Sequence, residues 1–493
     1  MLGFGIDKVL SSKSLFCQIS AGLIFGIPIG LAARWIPPLF LLGMLAAILI
    51  FYAINKRPEL ALLGILIATS SIVFEEQLPQ ISLGVISLHV PDLFLFSLFG
   101  LILFRWLTEQ EFKLVHTPLD RPLLIFIGVT LLSTAFAVIH SSVEIETARR
   151  AIRIMSYYLA FFVVTNLVRD RRRLDSLLNG FFFLATVVSA AMVAQYLIGS
   201  STPLLPGRVE ALKTQGAIYE DVTRLLPPGR SVVMVAFITI FCILIMKKVK
   251  LHGILLFLQW CLIGIALITT FLRSYWAALI IAFILLATMV KGTDRKRFIG
   301  WSLAVLCILS IISIPAFVEP KSGVGRIIVA SLSRLFTLGS SKTINERSLQ
   351  WRYVENKHAL RQIISHPLIG LGLGAEYRPY DARIDNPGTK PDRSFIHNGH
   401  LWILIDTGLI GYFALLWLSL AFLIRGFRYW RNVGDLRLRG VVLGFSLAYL
   451  ALLFAAVVNS TFVQWRWTPV IGIIMGINEV IIKNFQIQAS STS

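Results

Sequence analysis

Long apolar runs separated by short polar links occupy most of the chain between residues 15 and 482. A helix that spans a bilayer needs about 20 mostly apolar residues. Fourteen segments approach this length: 15–33, 37–54, 59–74, 91–107, 122–140, 152–168, 176–198, 229–246, 251–271, 274–290, 298–318, 400–424, 438–459 and 466–482. The pattern predicts an all-α fold, a polytopic bundle of about 12–14 transmembrane helices.

The longest polar segment interrupts this series at 319–397 and predicts the organisation of the chain. We expect transmembrane helices in 1–318, a large extramembrane loop of short helices at 319–397, C-terminal transmembrane helices in 398–485 and a disordered tail at 486–493.

Two amphipathic stretches are predicted within this large loop. Residues 324–336 alternate apolar and basic positions at helical spacing, which suits a helix lying on the membrane surface. Residues 346–365 form a second helical pattern, and we expect that helix to end at His366-Pro367, because proline stops helices.

Composition supports the membrane interpretation. The 493 residues are 56% hydrophobic and only 15% charged, whereas soluble domains have about 45–50% apolar and about 25% charged residues. So much apolar surface needs lipid as its solvent.

The net charge of +20 has two possible explanations, a nucleic-acid partner or basic loops beside anionic lipid. No nucleic-acid fold signature accompanies the basic residues, so we expect no nucleic-acid partner. Alternating spans from a cytoplasmic N-terminus place every dense basic cluster inside, as the positive-inside rule requires; these clusters are 169–173, 247–250, 291–297 and 425–439. Both termini are therefore predicted in the cytoplasm, and the large loop on the opposite side.

Positive charge at the outer side is not explained by this rule. Seven arginines lie at or near predicted outer helix ends: Arg149, Arg150, Arg153, Arg224, Arg230, Arg273 and Arg466. Each one alone could be a snorkelling side chain. Arg273 stands out because it lies between two apolar runs with almost no loop around it, and charge placed there suggests a functional site. A cluster of guanidinium groups would suit a phosphate-bearing anion.

The large loop re-enters the membrane at Phe395-Ile-His-Asn-Gly-His-Leu-Trp402. Histidine can take a proton near neutral pH, so His397 or His400 could serve as a general base; either could equally anchor a helix at the interface. Asp406, about two turns into the following span, either makes a buried hydrogen bond or lines a cavity.

Two weaker signals remain. The glycine series in 366–374 follows no predicted strand, so it is not a nucleotide-binding loop; its glycines permit a tight turn or a close approach of backbone to a ligand. The adjacent carboxylates Glu220 and Asp221 could bind a divalent metal, but two carboxylates alone are weak evidence.

These motifs together resemble the O-antigen ligase family, which also contains O-antigen and exopolysaccharide polymerases. The stretch from Trp351 to Gly374, with its His-Pro and Gly-x-Gly-x-Gly elements, is similar to one family motif. His397-Asn-Gly-His-Leu401 followed by Asp406-Thr-Gly-Leu-Ile-Gly411 resembles another, and Leu272-Arg-Ser-Tyr-Trp276 a third, with leucine replacing the usual serine. Arg224 matches a family arginine near a helix start. The motifs lie within about 220–420.

The resemblance implies a membrane glycosyltransferase fold and a reaction at the periplasmic face of the bacterial inner membrane. The donor would be a glycan on undecaprenyl diphosphate and the acceptor a sugar on a glycolipid or glycan. His397 would be the general base, and Arg273 would neutralise the diphosphate. The residues expected to contact substrate are Arg224, Arg230, Asn398, His400, Gly372 and Gly374. No cofactor or metal is expected; a chain-length regulator or assembly partner is possible.

Three classes of function stay open at this point. A transferase of the ligase or polymerase type is favoured, and the sequence does not distinguish these two acceptor choices. A transporter of lipid-linked glycans would have inverted repeats and ionisable residues near the membrane midplane, and neither is visible. An inactive scaffold would make the coincidence of histidine and arginine motifs accidental.

Overall fold

The structure is a computed structural model, and it describes residues 51–73, 77–78, 80–83, 86–199, 204–205, 209–214, 217–246, 251–318, 329, 347–381, 385 and 392–485. The chain divides into two compact units, 1–58 and 59–493. In the first unit only 51–58 are described, and 51–56 are helical. The predicted span 15–33, most of 37–54, the surface helix 324–336 apart from residue 329, and the tail 486–493 lie outside the described residues.

The described chain is mainly helical, which confirms the all-α prediction. The helices are α1 (Pro58–Ser70), α2 (Val90–Thr108), α3 (Asp120–Ile139), α4 (Ile145–Ser156), α5 (Ala160–Leu167), α6 (Arg171–Ile198), α7 (Arg230–Met246), α8 (Leu251–Thr269), α9 (Arg273–Met289), α10 (Gly292–Val318), α11 (Arg347–Ser365), α12 (Gly399–Tyr429), α13 (Leu436–Ala455) and α14 (Thr468–Asn484). Short antiparallel hairpins are formed by β1 (Gln80–Leu83) with β2 (Ile86–His89) and by β3 (Val209–Thr214) with β4 (Ala217–Leu225).

Among the described residues, five helices are long and apolar enough to cross a membrane: α2, α3, α6, α12 and α13. Further shorter apolar helices fill out the bundle, including α1, α7 and α9. The boundaries follow the predicted runs closely, and α11 ends at Ser365, immediately before the His-Pro pair. Hydrophobic run length alone therefore locates most helices.

The predicted span 152–168 is not a single uninterrupted α-helix in the structure. The chain there is divided between the amphipathic α4, a 3-10 turn at Tyr157–Leu159 and the short α5. α4 begins earlier than the apolar run because its first turns carry Glu146, Arg149 and Arg150 on an exposed side. Charged residues at this spacing favour an interfacial helix over a spanning one.

The centre of the bundle is α7, which is buried along nearly its whole length and packs against α13. A methyl group on Gly440 would meet Ile243 Cα at 2.8 Å, and one on Gly444 would meet Thr239 Cα at 2.5 Å. Glycines four residues apart let helix backbones approach closely. The same spacing recurs at Gly472 and Gly476 on α14, which contact the segment 157–164.

Three of the four basic segments predicted to share one side, 169–173, 291–297 and 425–439, lie at one end of the bundle, while 247–250 lies outside the described residues. Arg171 forms an ion pair with Asp435 at 2.8 Å, which joins the start of α6 to the residue before α13. Arg431 Nη2 donates to the carbonyl of Met289, and Arg297 Nη1 donates to that of Met246. The opposite end, where α7, α9 and α12 begin, is called the site end below. Which end faces the cytoplasm stays a prediction.

Candidate functional site

The site end brings the first residues of α9 and α12 onto one connecting segment. Asn459 Nδ2 donates to Ser274 Oγ at 2.8 Å, and the Gly399 N–H donates to the carbonyl of Ala456 at 2.7 Å. The residues after α13 therefore bridge the helix that starts at Arg273 and the helix preceded by His397. The Arg273 and His397 motifs, which lie far apart in sequence, are thereby both hydrogen-bonded to the segment that follows α13.

A second contact joins Arg224 to this group. Arg224 lies in β4, and its Nε donates to the carbonyl of Thr270 at 3.3 Å. Thr270 begins the turn between α8 and α9, in which the buried Phe271 adopts a left-handed φ of 49°. A non-glycine residue in this region is strained and persists only when its surroundings hold it. The turn that precedes Arg273 is therefore firmly fixed.

Arg230 and Arg466 approach the same helix from two other directions. The Tyr275 side chain lies close to the guanidinium groups of Arg230 and Arg466. The Tyr275 and Trp467 rings meet edge to face, with centroids 6.2 Å apart. Elements bearing Arg224, Arg230, Arg273 and Arg466 thus converge, although their sequence positions span almost half the chain.

The electrostatics of this cluster favour an anion. Arg230 and Arg273 are the first residues of α7 and α9, and both helices begin at the site end. A helix N-terminus carries partial positive charge and unpaired N–H groups, which add to the charge of the guanidinium groups. The arrangement is chemically suited to a ligand with several phosphate oxygens.

His397 is held by a buried carboxylate. Glu355 of α11 accepts a hydrogen bond from the His397 backbone N–H at 3.0 Å. The ring Nδ1 of His397 lies 2.9 Å from Oε2 and 3.1 Å from Oε1 of the same carboxylate. Because an ionised carboxylate only accepts, Nδ1 carries the donated proton. In the neutral ring, the Nε2 atom, which makes no hydrogen bond within the described part of the chain, is the nitrogen that carries the lone pair.

Aromatic rings fix the plane of the His397 imidazole. Phe395 and Trp351 both pack against it edge to face, with centroid distances of 4.8 Å and 6.1 Å. The His397 side chain is 33% exposed, whereas that of Glu355 is 1% exposed. The ring is thus oriented from its buried side and remains open to a substrate.

Sequence reasoning did not identify Glu355 as a site residue. In the sequence, Glu355 is simply one polar position within the helix predicted over 346–365. His397 lies 42 residues further along the chain, so no periodic pattern relates the two. The one available signal is that a charged residue on a helix rarely becomes buried without a partner.

His400 and Asn398 make hydrogen bonds within the protein that hold the start of α12 in place. His400 Nε2 donates to the Leu453 carbonyl at 2.9 Å, so in the neutral ring Nδ1 accepts from the Tyr412 hydroxyl at 3.2 Å. Asn398 Oδ1 accepts the N–H groups of His400 and Leu401, and so caps α12. Both residues anchor this helix start; their predicted contact with substrate stays a prediction.

The glycine segment docks onto a break in α12. Gly408 has a φ of 63° inside this helix. The backbone N–H of Leu409 donates to the Pro367 carbonyl at 2.8 Å, and that of Gly372 donates to the Asp406 carbonyl at 2.9 Å. Broken helices leave backbone groups that need partners inside a membrane. The segment 367–372 supplies them.

Gly372 and Gly374 themselves approach other helices. Both have left-handed φ values, 84° and 83°. A methyl group on Gly372 would meet Ala137 Cβ at 2.5 Å, and one on Gly374 would meet Thr147 Cγ2 at 2.7 Å. Their tight contacts are therefore with protein, and a role in binding substrate stays a prediction.

Asp406 is buried, as expected if it has a structural role and does not line a cavity. Its side chain lies beside that of Trp402, and its backbone carbonyl accepts from Ser133 Oγ at 2.6 Å. No cluster of three or more His, Cys, Asp or Glu side chains that could hold a metal occurs among the described residues. Glu220 and Asp221 lie in β4, and their suggested metal site stays a prediction.

Comparison with known protein families identifies one match. The family model described as O-antigen ligase matches residues 256–416, roughly a third of the 493 residues. The matched region contains Arg273, Glu355 and His397, whereas Arg224 and Arg230 precede it. None of the curated proteins compared with the chain matches it.

Proposed function

We propose, from the match of residues 256–416 to the O-antigen ligase family model, that the chain transfers a glycan from undecaprenyl diphosphate to an acceptor sugar. The reaction takes place at the site end, which we place at the periplasmic face of the bacterial inner membrane. The observation that carries the proposal is the Glu355–His397 contact, because it prepares one ring nitrogen for proton transfer.

His397 Nε2 acts as the general base in this reaction. It removes the proton from an acceptor hydroxyl while that oxygen bonds to the anomeric carbon of the donor sugar. The bond from this carbon to the diphosphate oxygen breaks, and undecaprenyl diphosphate leaves. Glu355 stabilises the imidazolium that forms, as a carboxylate does in hydrolase triads.

The arginine cluster binds the leaving group. Negative charge accumulates on the diphosphate as the glycosidic bond breaks, and fixed cations directed at that charge lower the barrier. Arg273 is the main candidate, with Arg224 and Arg230 beside it. Since cations of the protein neutralise the diphosphate, the proposal requires no metal.

The test is a transfer assay with purified protein in lipid nanodiscs. The donor is a glycan on undecaprenyl diphosphate, the acceptors are a lipid A–core and a second lipid-linked repeat unit, and EDTA is present. We expect transfer by the parent and a loss of about 10²-fold or more in His397→Ala and Arg273→Ala. His366→Ala is the matched control, because His366 is an exposed histidine of the same loop.

Each outcome of this assay is decisive. Transfer to lipid A–core defines a ligase, and transfer to a lipid-linked unit defines a polymerase. Full activity of His397→Ala overturns the assignment of the base. Loss of parent activity in EDTA overturns the metal-free reaction. If the parent consumes donor with neither acceptor, transport of the lipid-linked glycan becomes the better explanation.

A further inference from the structure

The helix that carries Glu355 has an exposed apolar face. On α11 the side chains of Tyr353, Leu360 and Ile364 are 67%, 51% and 78% exposed. Lys357 and Arg361 are exposed between them. At 3.6 residues per turn all five positions fall on one side of the helix. This face, Tyr353–Lys357–Leu360–Arg361–Ile364, is called the outer face of α11.

Glu355 lies on the opposite side of the same helix. It follows Tyr353 by two residues, which is a rotation of about 200° around an α-helix. Ala359 and Ile363, on the inner side, pack with Ile405 of α12. The inner side of α11 therefore packs on the bundle, and its apolar outer face points away from it.

The outer face continues into the lipid-facing surface of α12. The chain after α11 is hydrogen-bonded to α12 through Leu409 N–H to the Pro367 carbonyl and Ile410 N–H to the Leu368 carbonyl. Leu368 and Ile410 are exposed, and so is Phe413 one turn further along this apolar, membrane-length helix. A single apolar surface thus extends from the span to the end of α11.

We propose that the outer face of α11 rests on the bilayer surface at the site end, with Leu360 and Ile364 among the acyl chains and Lys357 and Arg361 against anionic phospholipid headgroups. Continuity with α12 selects lipid as the occupant, since α12 itself crosses the membrane. The charge pattern agrees, because basic residues beside an apolar stripe are typical of helices that bind anionic membranes.

The contact between α11 and lipid does not depend on the transfer reaction, whereas its effect on the base rests on the proposed function. It gives the bilayer a part in positioning the base, since the helix seated on lipid presents Glu355 to His397 from its other side. A helix anchored on lipid in this orientation keeps the Glu355 carboxylate directed at the imidazole.

The proposal is tested by measuring the depth of nitroxide labels in nanodiscs that contain phosphatidylglycerol. Labels are placed at Leu360→Cys and Ile364→Cys in a background with all four cysteines replaced by alanine. Phe413→Cys provides the lipid reference, and Glu376→Cys, an exposed loop position, provides the aqueous one. We expect molecular oxygen to relax the labels at 360 and 364 more than a water-soluble nickel chelate does, as at Phe413→Cys.

Two results would overturn the proposal. Labels that behave like the one at Glu376→Cys would show the outer face in water. Labels shielded from both reagents would show that protein, either residues 319–346 or a second copy of the chain, covers it. A further arm compares Lys357→Glu/Arg361→Glu with the parent; the pair should lower the oxygen preference at Ile364→Cys in anionic discs but not in neutral ones. Because no donor is consumed, failure of the glycan-transfer proposal would leave these results unaffected.

Discussion

Glu355 binds His397 at two points, the backbone N–H and the ring Nδ1. One carboxylate therefore sets both the position of the chain and the orientation and protonation pattern of the imidazole. The contact joins the large loop to the start of α12, so the geometry of the imidazole depends on the folding of that loop.

Replacing Glu355 with glutamine tests this pairing. An amide keeps the size of the side chain, but it has no charge to stabilise the imidazolium and can favour the other ring tautomer. We expect kcat to fall about 10²–10⁴-fold, with KM changed only a few-fold. Glu376→Gln, at an exposed carboxylate of the same loop, should leave both constants unchanged. A glutamine variant as active as the parent would remove Glu355 from the proposed mechanism.

The two histidines of the re-entry motif should respond differently to substitution. In His400→Ala the Leu453 carbonyl and the Tyr412 hydroxyl lose their partner, so the free energy of unfolding should fall by about 1–3 kcal/mol. We expect transfer activity to remain within a few-fold of the parent where the protein is folded. Thermal unfolding and turnover of the purified variant distinguish the roles. A raised KM with unchanged thermal stability would instead indicate that His400 contacts substrate.

The helix break at Gly408 should tolerate no side chain. A methyl group there would overlap the Leu368 carbonyl and approach the Ile369 nitrogen at 2.6 Å, and the φ of 63° is itself unfavourable for alanine. We expect Gly408→Ala to destabilise the fold by about 1–3 kcal/mol. Gly128→Ala in α3 is the matched control, because its methyl group would meet nothing within 4 Å. Equal melting temperatures for the two variants would contradict the described docking of 367–372.

Acid should loosen the large loop through one ion pair. Two hydrogen bonds from Arg378, at 2.7 and 2.8 Å, lower the pKa of the Asp385 carboxyl below its usual value, and both side chains are buried. A depressed folded-state pKa stabilises the protein above the unfolded pKa of about 3.9, and that stability is lost as the pH falls through the folded value. Limited proteolysis between pH 6 and pH 3 should therefore cleave the loop faster at the acid end.

Asp385→Asn is the control for this pH effect. It removes the titrating group and leaves the Arg378 charge buried without its partner, so the loop should be cleaved faster already at pH 6. The further increase in the cleavage rate of the loop between pH 6 and pH 3 should be smaller in Asp385→Asn than in the parent. An identical pH profile in both proteins would show that other carboxylates control the acid response.

The sequence predicted the helices of the bundle because their positions depend on a local property. Each long apolar run must leave water, and the length of the run sets the length of the helix. The proline after His366 likewise ends α11 at the predicted place. The exception was 152–168, where charges at the spacing of α4 move the start of the helix out of the apolar run.

Tertiary structure alone decided which polar residues become partners. The chemistry of the two side chains alone does not separate His397 from His400, and only the family resemblance favoured His397 as the base. In the structure, His397 contacts a carboxylate from a helix 42 residues earlier, and His400 is hydrogen-bonded to Leu453 and Tyr412. The glycines of 366–374 are likewise explained by a break in α12 that they contact. Such pairings depend on how helices pack across the bundle, and packing depends on shape and contact between distant segments. Local hydrophobicity fixes where the chain enters the membrane, but not which side chains meet there.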